Sequence, residues 1–254
     1  LFMACGKNLF LYPAGHPQTK QSIEQLWQVT FTFFRSKPQL VLNFSASENS
    51  TTNWAAGFVL YKDPGATLNG AVSGNSIAGN SFGLANQTGV LQDASGNWWG
   101  SATGPKVASN TGGAGDSVSA DVDYTPWLDS GADMQLGTPG FQGDFSVLNV
   151  FAGSPQTGST GRIQEGINLV SGSTVKVLAG IYNENLVIHK PLSLLGTGQS
   201  LVTVYPAISD IGQPNPQDPP SFRGSQMCVV QASNVTIDGF TFDGDSPTLT
   251  PPGT

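Results

Sequence analysis

Charged residues are scarce in this chain of 254 residues, of which only 11% are Asp, Glu, Lys or Arg. Solvated helix faces are built largely from Lys and Glu, so this composition argues against an all-helical protein. The chain has 10 basic against 17 acidic residues and a net charge of −7. Nucleic acid is therefore excluded as a partner, because phosphates are bound by clustered Lys and Arg.

Cysteine and histidine are equally rare, with two residues of each. Cys5 and Cys228 are isolated, so they form neither a metal-ligand pattern nor a disulfide framework, and their state stays open. Residues 79–83 match the G-x-S-x-G pattern of serine hydrolases, but His16 and His189 are the only possible general bases and no helix is expected to follow. No run reaches the roughly 18 apolar residues that span a bilayer, so no membrane span is predicted.

Glycine and proline are abundant, with 32 and 17 residues, and 38% of the chain is hydrophobic. Turn formers in this number, with enough apolar side chains for a core, predict an all-β fold of short strands. Residues 1–55 contain only two of the glycines. We leave this segment unassigned, with irregular structure as one interpretation. Alternating side chains in it predict two strands around Arg35–Pro38, and residues 22–27 could form a short helix.

An internal repeat follows in residues 56–130. Val72–Ile77 (VSGNSI) aligns with Ala94–Trp99 (ASGNWW) at an offset of 22 residues. One coil of three short strands and three turns needs about 20–25 residues, so the offset fits a β-solenoid. In such a coil Ile77 and Trp99 occupy equivalent positions, and the Gly-Asn pairs form corners. Coincidence in a stretch rich in Gly, Asn and Ser is the alternative.

The segment 96–128 resembles the closing coils of bacterial right-handed parallel β-helix proteins of the pectin-lyase-like superfamily. The resemblance rests on GNWWGSATGP (96–105), GDSV (115–118) and VDYTPWL (122–128). In a solenoid, the aromatic rings of Trp98, Trp99 and Trp127 can cover the apolar end of the stack. The functional alternative for these three side chains is carbohydrate stacking.

Residues 131–158, rich in Gly and Pro at their start, are predicted to be a linker. After it, Ile163, Ile167 and Val170 lie on one face of a predicted amphipathic helix with Ser159 or Thr160 as N-cap. Short strands are predicted at 174–178, 186–188, 192–195, 202–204, 228–230 and 235–237, with an inserted loop at 205–226.

The runs GSTVKVLAGIYNENLVI (172–188) and PLSLLGTG (191–198) resemble the opening of the same superfamily, where a helix caps the first coil. The order is thus the end of one β-helix module, 56–130, followed by the start of a second, 159–254. It implies tandem modules in a longer parent chain. One continuous solenoid with an irregular excursion at 131–160 is the alternative.

Enzymes of that superfamily use paired carboxylates and an arginine on outward faces. The resemblance makes Arg223 and Asp238 the candidate catalytic residues, although the middle coils that carry the family motifs are not in this chain. The carboxylates of Asp238, Asp243 and Asp245 could bind calcium, as could those of Asp116, Asp121 and Asp123, or they could cap turns through their own backbone. No other cofactor is predicted.

The expected function is that of a fragment of an extracellular or cell-surface β-helix repeat protein. It would act as a structural or adhesive scaffold, with polysaccharides or cell-surface glycans as partners. The alternative is a carbohydrate-active enzyme, a polysaccharide lyase or pectinesterase-like protein, whose catalytic coils lie outside this fragment.

Overall fold

A computed structural model describes residues 2–3, 30–32, 41–62, 65–207 and 227–247. The helix predicted at 22–27, Arg223 and most of the predicted loop 205–226 lie outside the described residues. The chain divides into two compact units, which we describe separately. The first comprises residues 1–144 with 154–157, and the second comprises residues 145–153 with 158–254.

The first unit consists of short strands, as its turn-rich composition predicts. They are β1 (Phe2–Met3), β2 (Thr30–Thr32), β3 (Val41–Ala46), β4 (Ser50–Thr51), β5 (Phe58–Leu60), β6 (Thr67–Val72), β7 (Ser76–Ile77), β8 (Leu84–Asn86), β9 (Gln92–Asp93), β10 (Val122–Asp123) and β11 (Trp127–Leu128).

Nearly all strand pairs of the first unit are parallel. The largest sheet has the order β10-β9-β6-β3-β2, and two smaller groups are β1-β5-β8 and β4-β7. Ala71 pairs with Asp93 and Ser76 with Trp98, which confirms the predicted offset of 22 residues. The antiparallel pair of β2 and β3 confirms the two strands predicted around Arg35–Pro38.

The parallel stack of the first unit includes residues that the sequence left unassigned. Val41 pairs with Thr67 and Ser50 with Ser76, so β3 and β4 belong to the same stack as the strands after residue 56. The predicted boundary at residue 55 therefore lies inside the stack.

The second unit contains nine strands and one helix in its described residues. They are β12 (Val147–Val150), α1 (Arg162–Leu169), β13 (Thr174–Val177), β14 (Gly180–Asn183), β15 (Leu186–Ile188), β16 (Ser193–Gly196), β17 (Val202–Tyr205), β18 (Cys228–Val230), β19 (Thr236–Asp238) and β20 (Thr241–Phe242).

Three parallel groups hold the second unit together: β12-β13-β16-β19, β14-β17-β20 and β15-β18. In the first group Leu148, Val175, Leu194 and Ile237 face one another in register. The first three of these side chains are fully buried, so the core runs along the stacked strands. The chain is therefore a strand-rich, all-β protein built on parallel sheets.

The predicted linker 131–158 needs correction because it contains β12. Leu148 and Val150 in this strand are fully buried, and β12 pairs in parallel with β13 over four residues. The surrounding residues are rich in Gly, Asp and Ser, which hid a four-residue strand from the sequence pattern. No helix among the described residues has the length and apolar character to cross a membrane.

Candidate functional site

A row of asparagine side chains connects successive strand levels of the first unit. The backbone N–H and Nδ2 of Asn75 donate to Oδ1 of Asn97 over 2.9 and 3.0 Å. Asn49 contacts Oδ1 of Asn75 in the same way, with both donors at 2.9 Å. Asn75 and Asn97 are fully buried. Each of these amides therefore fixes the register of one level on the next.

The amide of Asn97 uses its hydrogen-bonding capacity in full. Its Nδ2 donates to the carbonyl oxygen of Val72 at 2.5 Å and to that of Ala94 at 2.8 Å, while Oδ1 accepts the two bonds from Asn75. A buried amide with every donor and acceptor paired is stabilising. Removal of one partner leaves a buried polar group without a hydrogen bond, which lowers the free energy of unfolding. The row is thus a structural element rather than a free binding group.

The residue before each asparagine has a positive φ. Glu48, Gly74 and Gly96 have φ values of 59°, 69° and 71°. A corner of this kind favours glycine, as the predicted Gly-Asn corners require. Because Glu48 replaces glycine in the earliest level, the sequence pattern revealed only two of the three copies.

The row ends at Asn97, above which a tryptophan takes the asparagine position. The N–H of Trp98, the residue after Asn97, donates to the Asn75 carbonyl oxygen at 2.9 Å. In the same way the N–H of Leu128, the residue after Trp127, donates to the Asn97 carbonyl oxygen at 3.0 Å. Trp127 therefore occupies the position that corresponds to the asparagines. The indole Nε1 of Trp127 donates to the carbonyl oxygen of Ala102 at 3.0 Å. An aromatic side chain here covers the end of the polar row.

The predicted carbohydrate-stacking role does not fit two of the three tryptophans. Trp99 and Trp127 are fully buried, so neither presents a ring face to a sugar. Trp98 is half-buried, and its indole packs directly against Gly131. Trp99 and Trp127 thus belong to the core of the unit, because large rings gain most by being removed from water.

The G-x-S-x-G segment binds an internal carboxylate. Asp116 accepts hydrogen bonds from the backbone N–H of Gly79 and Asn80 at 3.0 and 2.9 Å and from Asn80 Nδ2 at 2.8 Å. A strand, β8, follows the segment rather than a helix. Ser81 therefore lacks the context of a nucleophile elbow, and the Asp116 carboxylate is occupied by protein donors.

In the second unit a carboxylate from the connection between β14 and β15 caps the helix. Glu184 accepts from the backbone N–H of Ile163 and Gln164, both at 3.0 Å, and is only 5% exposed. The N-cap position is Gly161 and carries no side-chain cap, so the predicted caps Ser159 and Thr160 are wrong. A carboxylate at a helix N-terminus stabilises the helix because it accepts hydrogen bonds from N–H groups that have no partner within the helix. Its negative charge is also attracted to the positive end of the helix dipole.

Two further side chains hold α1 against the strands. Gln164 Nε2 donates to the Val187 carbonyl at 3.1 Å, and Val187 N–H donates back to Gln164 Oε1 at 2.7 Å. Lys190 Nζ donates to the carbonyl oxygens of Asn168, at 3.0 Å, and Val170. The helix thus has a carboxylate at its N-terminus and an ammonium group at its C-terminus, although desolvation lowers the pKa of Lys190.

The stability of the second unit should depend on pH through Glu184. Burial raises the pKa of this carboxyl above 4.5, against the opposing effect of the backbone N–H groups of residues 162–164 and the Arg162 guanidinium. The folded state then binds a proton more tightly than the unfolded state, so stability present below pH 4.5 is lost as the pH rises through the folded pKa.

We therefore expect the wild-type free energy of unfolding to fall, relative to that of Glu184→Gln, as the pH rises from about 4 towards neutrality. Urea denaturation of both chains at several pH values, followed by far-UV circular dichroism, measures this difference. A difference that stays constant or grows with pH would show that burial does not dominate the pKa of Glu184.

The remaining predicted site residues are not brought together. Asp238 is exposed on β19, where it pairs with Leu195, while Asp243 Oδ1 accepts the backbone N–H of Asp245 at 2.9 Å. In the described ranges no three His, Cys, Asp or Glu side chains are arranged to hold a metal ion. Asp238, Asp243 and Asp245 thus do not form the predicted calcium site, and Asp243 serves as a turn cap.

Glu184 and the amides of Asn75 and Asn97 are the buried polar groups whose structural roles sequence reasoning missed. Their common feature is a polar side chain, 95% or more buried, that bonds at least one backbone group about 20 to 30 residues away. No known protein family matches this chain, and neither a characterised protein nor a solved structure shows significant similarity to it.

Proposed function

We propose that this chain is part of an extracellular or cell-surface protein of the right-handed parallel β-helix type, a structural or adhesive scaffold that contacts glycans. The observation that carries the proposal is the asparagine row, in which Asn49, Asn75 and Asn97 link successive parallel levels. Repeated polar rows of this kind are expected where coils of similar length stack on one another. The proposal includes tandem modules of the pectin-lyase-like superfamily in the parent chain.

The outward face of the second unit supports the glycan contact. Thr174, Ser193 and Thr236 lie in register on β13, β16 and β19, and none of them is buried. Adjacent strands are about 4.8 Å apart, so the three hydroxyl groups form a regular row. Hydroxyl groups both donate and accept hydrogen bonds, which suits the hydroxyl groups of a polysaccharide.

Glycan binding can be tested with the whole chain on immobilised pectin and alginate. We expect retention on at least one of them, with about tenfold weaker binding after Ser193→Val and Thr236→Val together, because each substitution removes a hydroxyl group of the row. Thr203→Val, a half-buried threonine on β17, serves as the matched control. Equal retention of the wild type, the double variant and Thr203→Val would show that the row of hydroxyl groups does not contact the polysaccharide.

Activity of the full-length parent protein distinguishes a scaffold from an enzyme whose catalytic coils lie outside this chain. Incubation of that protein with pectin and alginate, with and without calcium, should release neither uronates nor methanol if it is a scaffold. Release of either product above the level of a heat-denatured sample would replace the scaffold proposal by the carbohydrate-active enzyme. No retention on either polysaccharide, or on a wider set of glycans, would contradict the adhesive role.

A further inference from the structure

A continuous run of exposed residues, 134–140, lies in the first unit, and we call it the exposed loop. All seven of its residues are exposed, and Leu136, at 89%, is the most exposed large apolar side chain in the described part of the chain. Neither the carbonyl oxygen of Leu136 nor the N–H of Gly137 has a hydrogen-bond partner among the described residues. Thr138 N–H donates to the Gln135 carbonyl oxygen at 2.8 Å and closes the tip of the loop as a turn.

Both ends of the exposed loop are held to the first unit. Asp133 Oδ1 accepts the backbone N–H of Gln142 at 3.3 Å, and Met134 N–H donates to the Gln142 carbonyl oxygen at 2.8 Å. Phe141 is buried, and its N–H donates to the Glu48 carbonyl oxygen at 2.8 Å. The tip of the loop can therefore open while its two ends stay in place.

A buried carboxylate holds a later segment of the chain to the same unit. Asp123 is fully buried on β10 and accepts hydrogen bonds from the backbone N–H and Oγ1 of Thr157 at 2.5 and 2.9 Å. Ser154 Oγ lies 3.3 Å from Asp123 Oδ1 and accepts the N–H of Tyr124 at 3.0 Å. A buried carboxylate that lost these donors would have no compensation for its desolvation, so the contact is firmly held.

We propose that the Leu136–Gly137 bond is a proteolytic processing site, cut by an endoprotease whose specificity pocket takes a large apolar side chain. Exposed loop tips that open without losing buried contacts are the preferred sites of proteolysis. Leu136 offers its side chain to such a pocket, and no residue from 134 to 140 is buried. Hydrolysis of the bond adds the hydroxyl of water to the Leu136 carbonyl carbon and a proton to the Gly137 nitrogen.

The two products of this cut should stay associated. Residues 137–144 and 154–157 follow the cut and belong to the first unit. Their partners Glu48, Asp123 and Asp133 precede the cut. Cleavage thus converts one chain into a protein of two chains without unfolding the first unit. This inference depends on the exposed loop and its anchors and not on glycan binding.

Limited proteolysis of the full chain with chymotrypsin, whose specificity pocket is a hydrophobic slot, tests the site. We expect a fragment that begins at Gly137, identified by mass spectrometry, to form faster than cuts after Trp54 or Tyr61, which are 46% and 38% exposed. Leu136→Asp should slow the formation of this fragment at least about tenfold, because an apolar pocket excludes a carboxylate. Leu201→Asp is the matched control, since Leu201 is 53% exposed and lies outside the loop.

Size-exclusion chromatography of the cut protein tests whether the products stay together. We expect both fragments to elute with the uncut chain, and to separate at a lower urea concentration after Asp123→Ala than in the wild type, because Thr157 then loses its acceptor. Thr157→Val removes only the hydroxyl donor and replaces Asp123→Ala if that variant loses its circular dichroism spectrum.

Two results would overturn the proposal. One is a fragment beginning at Gly137 that forms no faster than the cuts after Trp54 and Tyr61, or equally fast in Leu136→Asp. The other is a cut wild-type protein whose fragments separate in buffer alone. Neither measurement contains a glycan, so a failure here is separate from a failure of polysaccharide binding.

Discussion

Replacing Asn97 with leucine should lower the free energy of unfolding of the first unit by at least about 3 kcal/mol. The leucine side chain fits the volume but offers no hydrogen bond. The N–H groups of Asn75 then lose their shared acceptor, and the carbonyl oxygens of Val72 and Ala94 lose a donor. These groups lie in the interior, where water cannot replace the lost partners, so each orphan carries the full cost of desolvation.

Tryptophan fluorescence during urea denaturation measures this loss selectively. All five tryptophans of the chain precede residue 128, so the signal arises from the first unit. Asn49→Leu is the matched control, because Asn49 lies at the other end of the row, is not fully buried and donates from its side chain to Asn75 and Ser47. We expect a loss of about 1 kcal/mol for the control. Equal losses at both positions would mean that the row does not extend into the core.

Leu194→Asp should abolish the folded state of the second unit. Leu194 is fully buried on β16, between Val175 on β13 and Ile237 on β19. An unpaired carboxylate in this column costs several kcal/mol in addition to the lost apolar contacts, and a small domain has only about 5–15 kcal/mol of stability. Ile188, another fully buried residue, is expected to respond in the same way.

The neighbouring substitution Leu195→Asp is the control for the side-chain alternation of β16. Leu195 points to the opposite face of the strand, is not buried and lies in register between Lys176 and Asp238. A carboxylate there stays in contact with water, so we expect a change within about 0.5 kcal/mol. Far-UV circular dichroism melts and limited proteolysis distinguish the two chains. If Leu195→Asp were as damaging as Leu194→Asp, the assignment of the buried face would be wrong.

Much of the strand pattern could be predicted from the sequence. The strands β15 and β18 begin and end at the predicted residues, and β13 and β17 differ by one residue. These strands are short aliphatic runs bounded by turn residues, a pattern that survives without tertiary information. By contrast, β12 was missed because the strand is only four residues long and lies in a polar, glycine-containing region.

The structural roles of polar side chains could not be predicted in the same way. The alignment of Gly74-Asn75 with Gly96-Asn97 indicated corners, and both glycines have positive φ, but the pattern did not show that the asparagine amides point inward. Glu184 caps a helix that begins 22 residues earlier, so no local capping motif exists. Such contacts depend on the register between distant strands, which a repeat of two copies specifies only weakly.

Methyl NOEs from a chain labelled at Ile, Leu and Val test the parallel stacking most directly. Neighbouring strands are about 4.8 Å apart and second neighbours about 9.6 Å, so only adjacent members of a column give strong cross-peaks. The stacking predicts cross-peaks for Leu148 with Val175, Val175 with Leu194, and Leu194 with Ile237. Absence of the Val175–Leu194 cross-peak, or a strong one between Val175 and Ile237, would contradict it.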